Sequence, residues 1–438
     1  MLITNAFIVT FDKDNRIIRN GYIKAQHGII EEIGCMDDLH SYDSEVTDAK
    51  GKMLFPGFIC THTHIYSAFA RGMILDGDSP SDFIEILEKL WWRLDKKLTH
   101  EDIYYSALVT IVDCIKNGVT CIFDHHAGPS SIDGSLDVIE KAFNELNMRG
   151  TLCYEVSERD GLKKAQKGIH ENSRFIKKSN GCNDDMVRGL FGLHAAFTLS
   201  DETLEKASSE GNSLNAGFHV HAGEGKYDED YNRKNYGKGA VQRLDDFGIL
   251  NCKTLLAHCI HVDDYEKELL KKCNVVHNPE SNMNNAAGYC DVTELLKRGV
   301  LIGLGSDGFN SNPFRAMDTC YVLHKHEKKD PRVMNPYDVI RLGIINNGKI
   351  ASKFFKEPVG IIKEGAKCDL IMIDYDSPTP VNENNIFAHI IFGMNSNMIT
   401  DSIINGKAVM KDRIIESVDE KEIMKKSRDA AQKLWERI

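Results

Sequence analysis

The sequence lacks the features that mark several broad classes of protein. Its twelve cysteines are scattered, and no two stand as Cys-x-x-Cys. In a chain of 438 residues they read as reduced thiols, not as a disulfide framework. No apolar run approaches the roughly 18 residues of a membrane-spanning helix, so no membrane partner is expected. Met1-Leu2-Ile3-Thr4-Asn5-Ala6 places no basic segment before an apolar one. A secretory signal is therefore not expected, and the cytoplasm is the default compartment. Positive charge is in deficit, with 54 Lys and Arg against 65 Asp and Glu and a net charge of −11. Nucleic-acid binding needs a basic face and is not expected. A small anionic substrate stays compatible, because a metal can dominate the local field. There is no internal repeat and no low-complexity segment.

What is present is an ordinary globular balance, 42% hydrophobic and 27% charged. The length suits one large barrel with a smaller appendage. Residues 1–55 read as short strands and turns, with β-forming runs at Leu2–Phe11 and Ile17–Ala25. From residue 56 apolar strand-like runs alternate with amphipathic stretches. The strand candidates are Gly57–Thr61, Val119–Phe123, Gly150–Val156, Val187–Leu193, Ala216–His221, Thr254–His258, Asn274–His277 and Val300–Gly305. Helical stretches between them include Glu101–Lys116, Ser135–Leu146 and Asp201–Glu210. This alternation predicts an α/β fold, a (β/α)8 TIM-type barrel over 56–359. Two further helices are expected at Arg315–Glu327 and Pro336–Phe355. The tail turns β-like at Cys368–Ile373, Ile399–Asn405 and Lys407–Val409. We expect 360–415 to join 1–55 in a split β-sandwich, with 416–438 as a closing helix.

The most informative segment is PGFICTHTH, an apolar strand ending in His62-Thr-His64. Strand side chains alternate, so both histidines face one side. At the C-terminal mouth of a barrel they could share a metal; the bland reading is an exposed pair in a turn. GFHVHAGE carries His219, His221 and Glu224; LLAHC carries His258; GLGSDG carries Asp307. Each puts a His or Asp at the end of a separate apolar strand, a placement that core histidines do not require.

Other residues carry two readings. His194 ends a strand and is a candidate substrate contact or a hydrogen-bonded core histidine. His125, in Asp124-His-His126, either lines the pocket or packs below it. Trp91-Trp92 suits packing as well as a lid. The amide-rich stretch with Asn282, Asn284 and Asn285 can read the edge of a heterocycle or satisfy turn backbone. Arg71 or Arg93 could hold an anionic or carbonyl-rich ligand. GLGSDG fits the spacing G-x-G-x-x-G, but it runs into Phe309-Asn-Ser-Asn-Pro313 and not into a helix start, which argues against a dinucleotide site. His170-Glu171 and His326-Glu327 do not complete H-E-x-x-H, and the P-C-x-x-C of the zinc base deaminases is absent.

Taken together, these segments resemble the amidohydrolase superfamily, in its deaminase and chlorohydrolase branch. PGFICTHTH, FHVHAGE, LLAHC and GLGSDG stand in that order, and VGIIKEGAKCDLIMID is similar to the return into the split β-sandwich. THTHIYSAFARGM, LWWRLD, DHHAGP, HNPESNMNN and DYDSPTP resemble the SsnA-type aminohydrolases more narrowly. The resemblance implies His62, His64, His221 and Asp307 as ligands of one divalent metal, zinc first and iron as the alternative. His219 is the substitute for His221. It implies Glu224 as proton shuttle, Asp307 as acceptor of a proton from the metal-activated water, His258 at the water or substrate, and His194 at the substrate. His125, Arg71, Asn282, Asn284 and Asn285 complete the expected binding set. The implied reaction is hydrolysis of a C–N bond in a small nitrogen heterocycle. Deamination and ring opening of a purine-like or pyrimidine-like compound both use these residues. A non-enzymatic metal-binding scaffold is the third reading, and the complete ligand set with Glu224 argues against it. The partners expected are this small molecule and a second copy in a homodimer.

Overall fold

A computed structural model describes residues 1–40, 45–74 and 77–438. Eight strands carry the site: β1 (Phe58–Thr63), β2 (Val119–His126), β3 (Arg149–Tyr154), β4 (Phe191–Ala195), β5 (Phe218–Ala222), β6 (Leu255–His258), β7 (Asn274–His277) and β8 (Leu301–Leu304). All pairings among them are parallel, in the orders β1-β2-β3 and β4-β5-β6-β7-β8. Nearly every residue of these strands is buried. Helices flank them, which explains their continuous apolar runs where a half-exposed strand would alternate.

The run 187–193 was expected as one strand. The structure divides it at Leu190. Val187–Gly189 pairs with β3. Leu190 N still donates to Leu152 O of β3, whereas Phe191 N donates to Gly217 O just before β5. The backbone changes hydrogen-bonding partner between those two residues, and a parallel bridge from Val156 to Leu193 spans this first seam. At the second seam Thr63 bridges Asp307, and Ser306 N donates to His62 O at 2.9 Å.

Asn347 reinforces the second seam. Its Nδ2 donates to Ile59 O of β1 at 2.7 Å and to Leu304 O of β8 at 2.9 Å. Asn346 donates to Ile302 O at 2.8 Å. Two consecutive side chains can face the strands because the helix is wound wide here. The expected helix 336–355 is Pro336–Ile340, a π-helical stretch Arg341–Asn346 and Asn347–Ala351. The glycines of GLGSDG serve this packing: a Cβ on Gly303 would lie 2.2 Å from Asn347 Oδ1, and one on Gly305 2.8 Å from His62 O.

Strands from both chain ends lie in one mixed sheet, in the order Lys407–Met410, Ile399–Ile404, Leu370–Ile373, Met53–Pro56, Leu2–Val9, Ile17–Gln26 and Ile29–Cys35. Ile3, Ile8, Ile23, Leu54, Leu370 and Ile403 pack within it. Glu420–Trp435 forms the last helix. Among the described residues no helix is long and apolar enough to cross a membrane.

Arg149 of β3 ties the terminal sheet to the parallel strands. It is fully buried and grips Asp369 through Nε at 2.6 Å and Nη2 at 3.2 Å. Its Nη1 donates to Asp185 O at 2.6 Å. Asp369→Ala would strand a buried guanidinium. We expect a loss of about 3–5 kcal/mol, read as a shifted midpoint in chemical denaturation.

Candidate metal centre

His62 and His64 alternate along β1, so both rings project to one side. His64 Nδ1 donates to His125 O at 2.6 Å, and His221 Nδ1 donates to His194 O at 2.8 Å. Each ring therefore turns its Nε2 lone pair toward a common point, where the two Nε2 atoms stand 3.1 Å apart. Asp307 Oδ1 lies 3.3 Å from His64 Nε2 and 3.6 Å from His62 Nε2. Four donors held about 2.0–2.2 Å from one ion stand roughly 3.3 Å apart. The spacing, and imidazoles anchored by their second nitrogen on carbonyls, fit a divalent cation. So does His62 Nε2, a buried atom with no hydrogen-bond partner among the described residues.

The donor chemistry agrees. Burial pulls His62 down to about 3 and His221 well below its ordinary value, leaving both rings neutral as ligation requires. Burial acts most strongly on His64 and against its charge, but hydrogen bonding to Asp307, the negative charges of Asp307 and Glu155 and the His125 carbonyl together lift the ring to about 9.

His219 occupies a different place. It lies deeper on β5 with His62 Nδ1 2.8 Å from its Nε2, so it orients His62 from behind. His258 joins His62, His221 and Asp307 in a group whose donor atoms all lie within 4.8 Å of one another. Its Nδ1 donates to Asn282 Oδ1 at 2.8 Å. The neutral ring thus presents an unpartnered Nε2 that lies 3.5 Å from Glu224 Oε2 and 3.7 Å from Asp307 Oδ2. Backbone geometry helps aim these groups: φ is +74° at His258 and +54° at Asp307, left-handed values that His and Asp tolerate better than most residues.

Glu224 follows a tight turn. Gly223 has φ +55°, and a Cβ there would meet His261 O at 2.6 Å. Asp228 accepts from Gly223 N at 2.9 Å and so fixes the turn. Burial, with Asp307, Asp228 and Glu155 nearby, pushes the Glu224 carboxyl well above the ordinary range.

The amide-rich stretch expected as a loop is a short helix, Pro279–Asn284, started by a proline whose fixed φ suits the first turn. It points inward. Ser281 donates a short hydrogen bond to Asp307 Oδ2, and Asn282 is buried against His258. Asn282 thus acts through His258 instead of facing open space. Asn284 and Asn285 line an outer cavity of about 410 Å3 together with Arg71. Arg71 is largely exposed and pairs with Asp113 at 3.2 Å. Arg93 reaches Ile438 O at the chain end, and Glu280 pairs with Arg315. His125 is fully buried; its Nε2 faces the carbonyls of His219 and Leu193 at 2.9 and 3.1 Å. It supports the floor of the site.

An inner space of about 50 Å3 lies between His194, Glu224, Asp307, Trp91, Trp92 and Phe309. Trp91 and Phe309 also border the outer cavity. Sequence reasoning missed Glu155, which faces the inner space. It stands 3.2 Å from His125 Nδ1 and 3.7 Å from His194 Nε2, and forms a second group with His64, His125 and His221. Burial opposes its charge, but His194 and His125 hold the carboxyl well below its ordinary value. The signal available was a carboxylate directly after an apolar strand.

The Amidohydrolase family model matches residues 53–409. This chain belongs to the amidohydrolase family. The amidohydrolase is 30% identical over 444 residues to a 5'-deoxyadenosine deaminase of Methanosarcina barkeri, covering 100% of this chain and 99% of that one. It is also 30% identical over 446 residues to a 5-methylthioadenosine/S-adenosylhomocysteine deaminase of Pelotomaculum thermopropionicum, with 100% and 99% covered. In fold it is similar to a zinc-bound adenosine deaminase from Xanthomonas campestris, with TM-score 0.87, 18% identity and 99% and 98% of the chains covered. The amidohydrolase is a metal-dependent hydrolase of non-peptide carbon–nitrogen bonds.

Proposed function

We propose that this amidohydrolase removes the exocyclic amine of a nitrogen heterocycle and releases ammonia, with a 6-aminopurine nucleoside as the substrate class. The relatives named as deaminases of adenosine derivatives support that class. One divalent ion, zinc by preference, would sit among His62, His64, His221 and Asp307. The observation that carries the reading is the convergence of these donors beside Glu224 and His258. We further infer that the two parallel sheets, bridged at both seams, form a closed (β/α)8 barrel over 56–359. In this reading 1–55 and 360–415 make the small β-sandwich, and 416–438 the closing helix.

A divalent ion at such a site supplies a water whose pKa falls from about 15.7 toward about 7. The chain supplies the rest. Ser281 occupies Oδ2 of Asp307 and leaves Oδ1 toward His62 and His64. Asp307 and the free Nε2 of His258 are placed to accept the proton that the water loses. Glu224, kept protonated by its surroundings, donates to the ring nitrogen beside the carbon under attack. The proton held by Asp307 or His258 then goes to the departing amine, and the Glu224 carboxylate takes up the remaining hydroxyl proton as the carbonyl forms, so that each group returns to its starting state. Trp91, Trp92 and Phe309 exclude bulk water. An inner space of about 50 Å3 is smaller than a purine, so these side chains must part for substrate.

The test is a product balance with 5'-deoxyadenosine and methylthioadenosine. We expect one ammonia per turnover and an intact purine chromophore. A mass gain of one water without ammonia would replace deamination by ring opening.

A further inference from the structure

Outside the catalytic cluster, three metal-ligating side chains meet behind β7. Val276 of this strand packs inward against Ile59, Phe123 and Leu255. Val275 packs in the cluster between strands and helices. By alternation His277 shares the face of Val275. There it meets Cys320 and His324 of the helix Pro313–Lys328. Cys320 and His324 are four residues apart and so lie on one helix face. One donor atom from each of the three lies within 4.8 Å of the others, and all three side chains are buried.

The two imidazoles are without partners. Among the described residues neither nitrogen of His277 and neither nitrogen of His324 has a hydrogen-bond partner, although their ring centroids are 5.2 Å apart. Two histidines in contact, each with both nitrogens unsatisfied and no water access, are a costly arrangement if packing is their only role. Burial lowers His324 to about 4 and His277 well below its ordinary range, so both rings are neutral.

We propose that His277, Cys320 and His324 form a second site, with a structural role, for a borderline-soft divalent cation such as zinc. On binding, the Cys320 S–H bond breaks, its proton leaves to solvent, and the sulfur lone pair binds the cation. Two imidazoles and a thiolate are a donor set that selects zinc over magnesium or calcium. The site clamps the helix to the end of β7. The next residues, Asn278 to Asn282, carry Ser281 to Asp307 and Asn282 to His258. Occupancy would therefore steady the segment that positions both groups.

The catalytic donor set contains no sulfur, so cobalt distinguishes the two sites. The full chain is stripped of metal and titrated with Co2+ alone. We expect two cobalt ions per chain and a near-ultraviolet thiolate-to-cobalt band that saturates with one equivalent. Cys320→Ser should abolish that band and keep one cobalt; His64→Ala should keep the band and lose the other ion. One cobalt per chain without a thiolate band in the native protein would overturn the proposal, whatever the variants do. A band that survives in Cys320→Ser would also overturn it. Failure of the catalytic reading alone would leave the band in place and remove only the sulfur-free ion.

Discussion

Glu224→Gln is expected to lower kcat by about 10²-fold or more while the metal content stays unchanged. Among the described residues Glu224 belongs to none of the groups whose donor atoms converge, so it is not needed to hold an ion. Its contact is with His258, at 3.5 Å. Glutamine keeps the size and the burial but cannot carry a proton from one atom to another. The loss should fall on kcat, because the proton moves in the transition state and not on binding. Steady-state ammonia release, with elemental analysis of the same sample, reads both quantities. Activity within a few-fold of the native protein would show that Glu224 is not the shuttle. Glu155 would then be the next candidate, because Glu280 is engaged with Arg315.

His64→Ala should empty the catalytic site. The native protein is expected to hold about one catalytic ion per chain, and the variant a small fraction of that. His64 Nε2 faces both Asp307 at 3.3 Å and His221 at 3.1 Å, so its loss opens the centre of the cluster. Removing even an outer partner of a metal ligand costs about 10–100-fold in affinity or activity; removing a ligand should cost more. Elemental analysis and turnover decide it together. Full retention of the sulfur-free ion in His64→Ala would dismiss this donor set and point to the alternative group of His62, His221, His258 and Asp307.

Much of this is legible in the sequence. The starts and ends of β1, β6 and β7 lie within two residues of the expected runs, because a buried parallel strand is a local pattern of apolar residues between polar turns. The residue types at the strand ends were legible for the same reason. Two of the misses are matters of direction. Asn282 was expected to meet substrate and instead holds His258, because a helical turn at Pro279 rotates it inward. His125 was expected to line the pocket and lies beneath it. Asp228, which fixes the turn before Glu224, carried no signal at all, since its partner is a backbone N–H.

The sequence by itself determined the alternation of strands and helices, the pairing of His62 with His64 on one face, and the donor types at successive strand ends. Period-two alternation and strand-end placement are properties of neighbours along the chain. Only the tertiary structure decided which donors share a centre. His221 meets His64, while His219, two residues away on the same face, lies behind His62. The entry of Glu155 beside His194, the break at Leu190 and the meeting of His277 with Cys320 and His324 were likewise decided there. Each depends on how far one strand or helix is displaced against another, and that displacement is set by packing between residues remote in sequence.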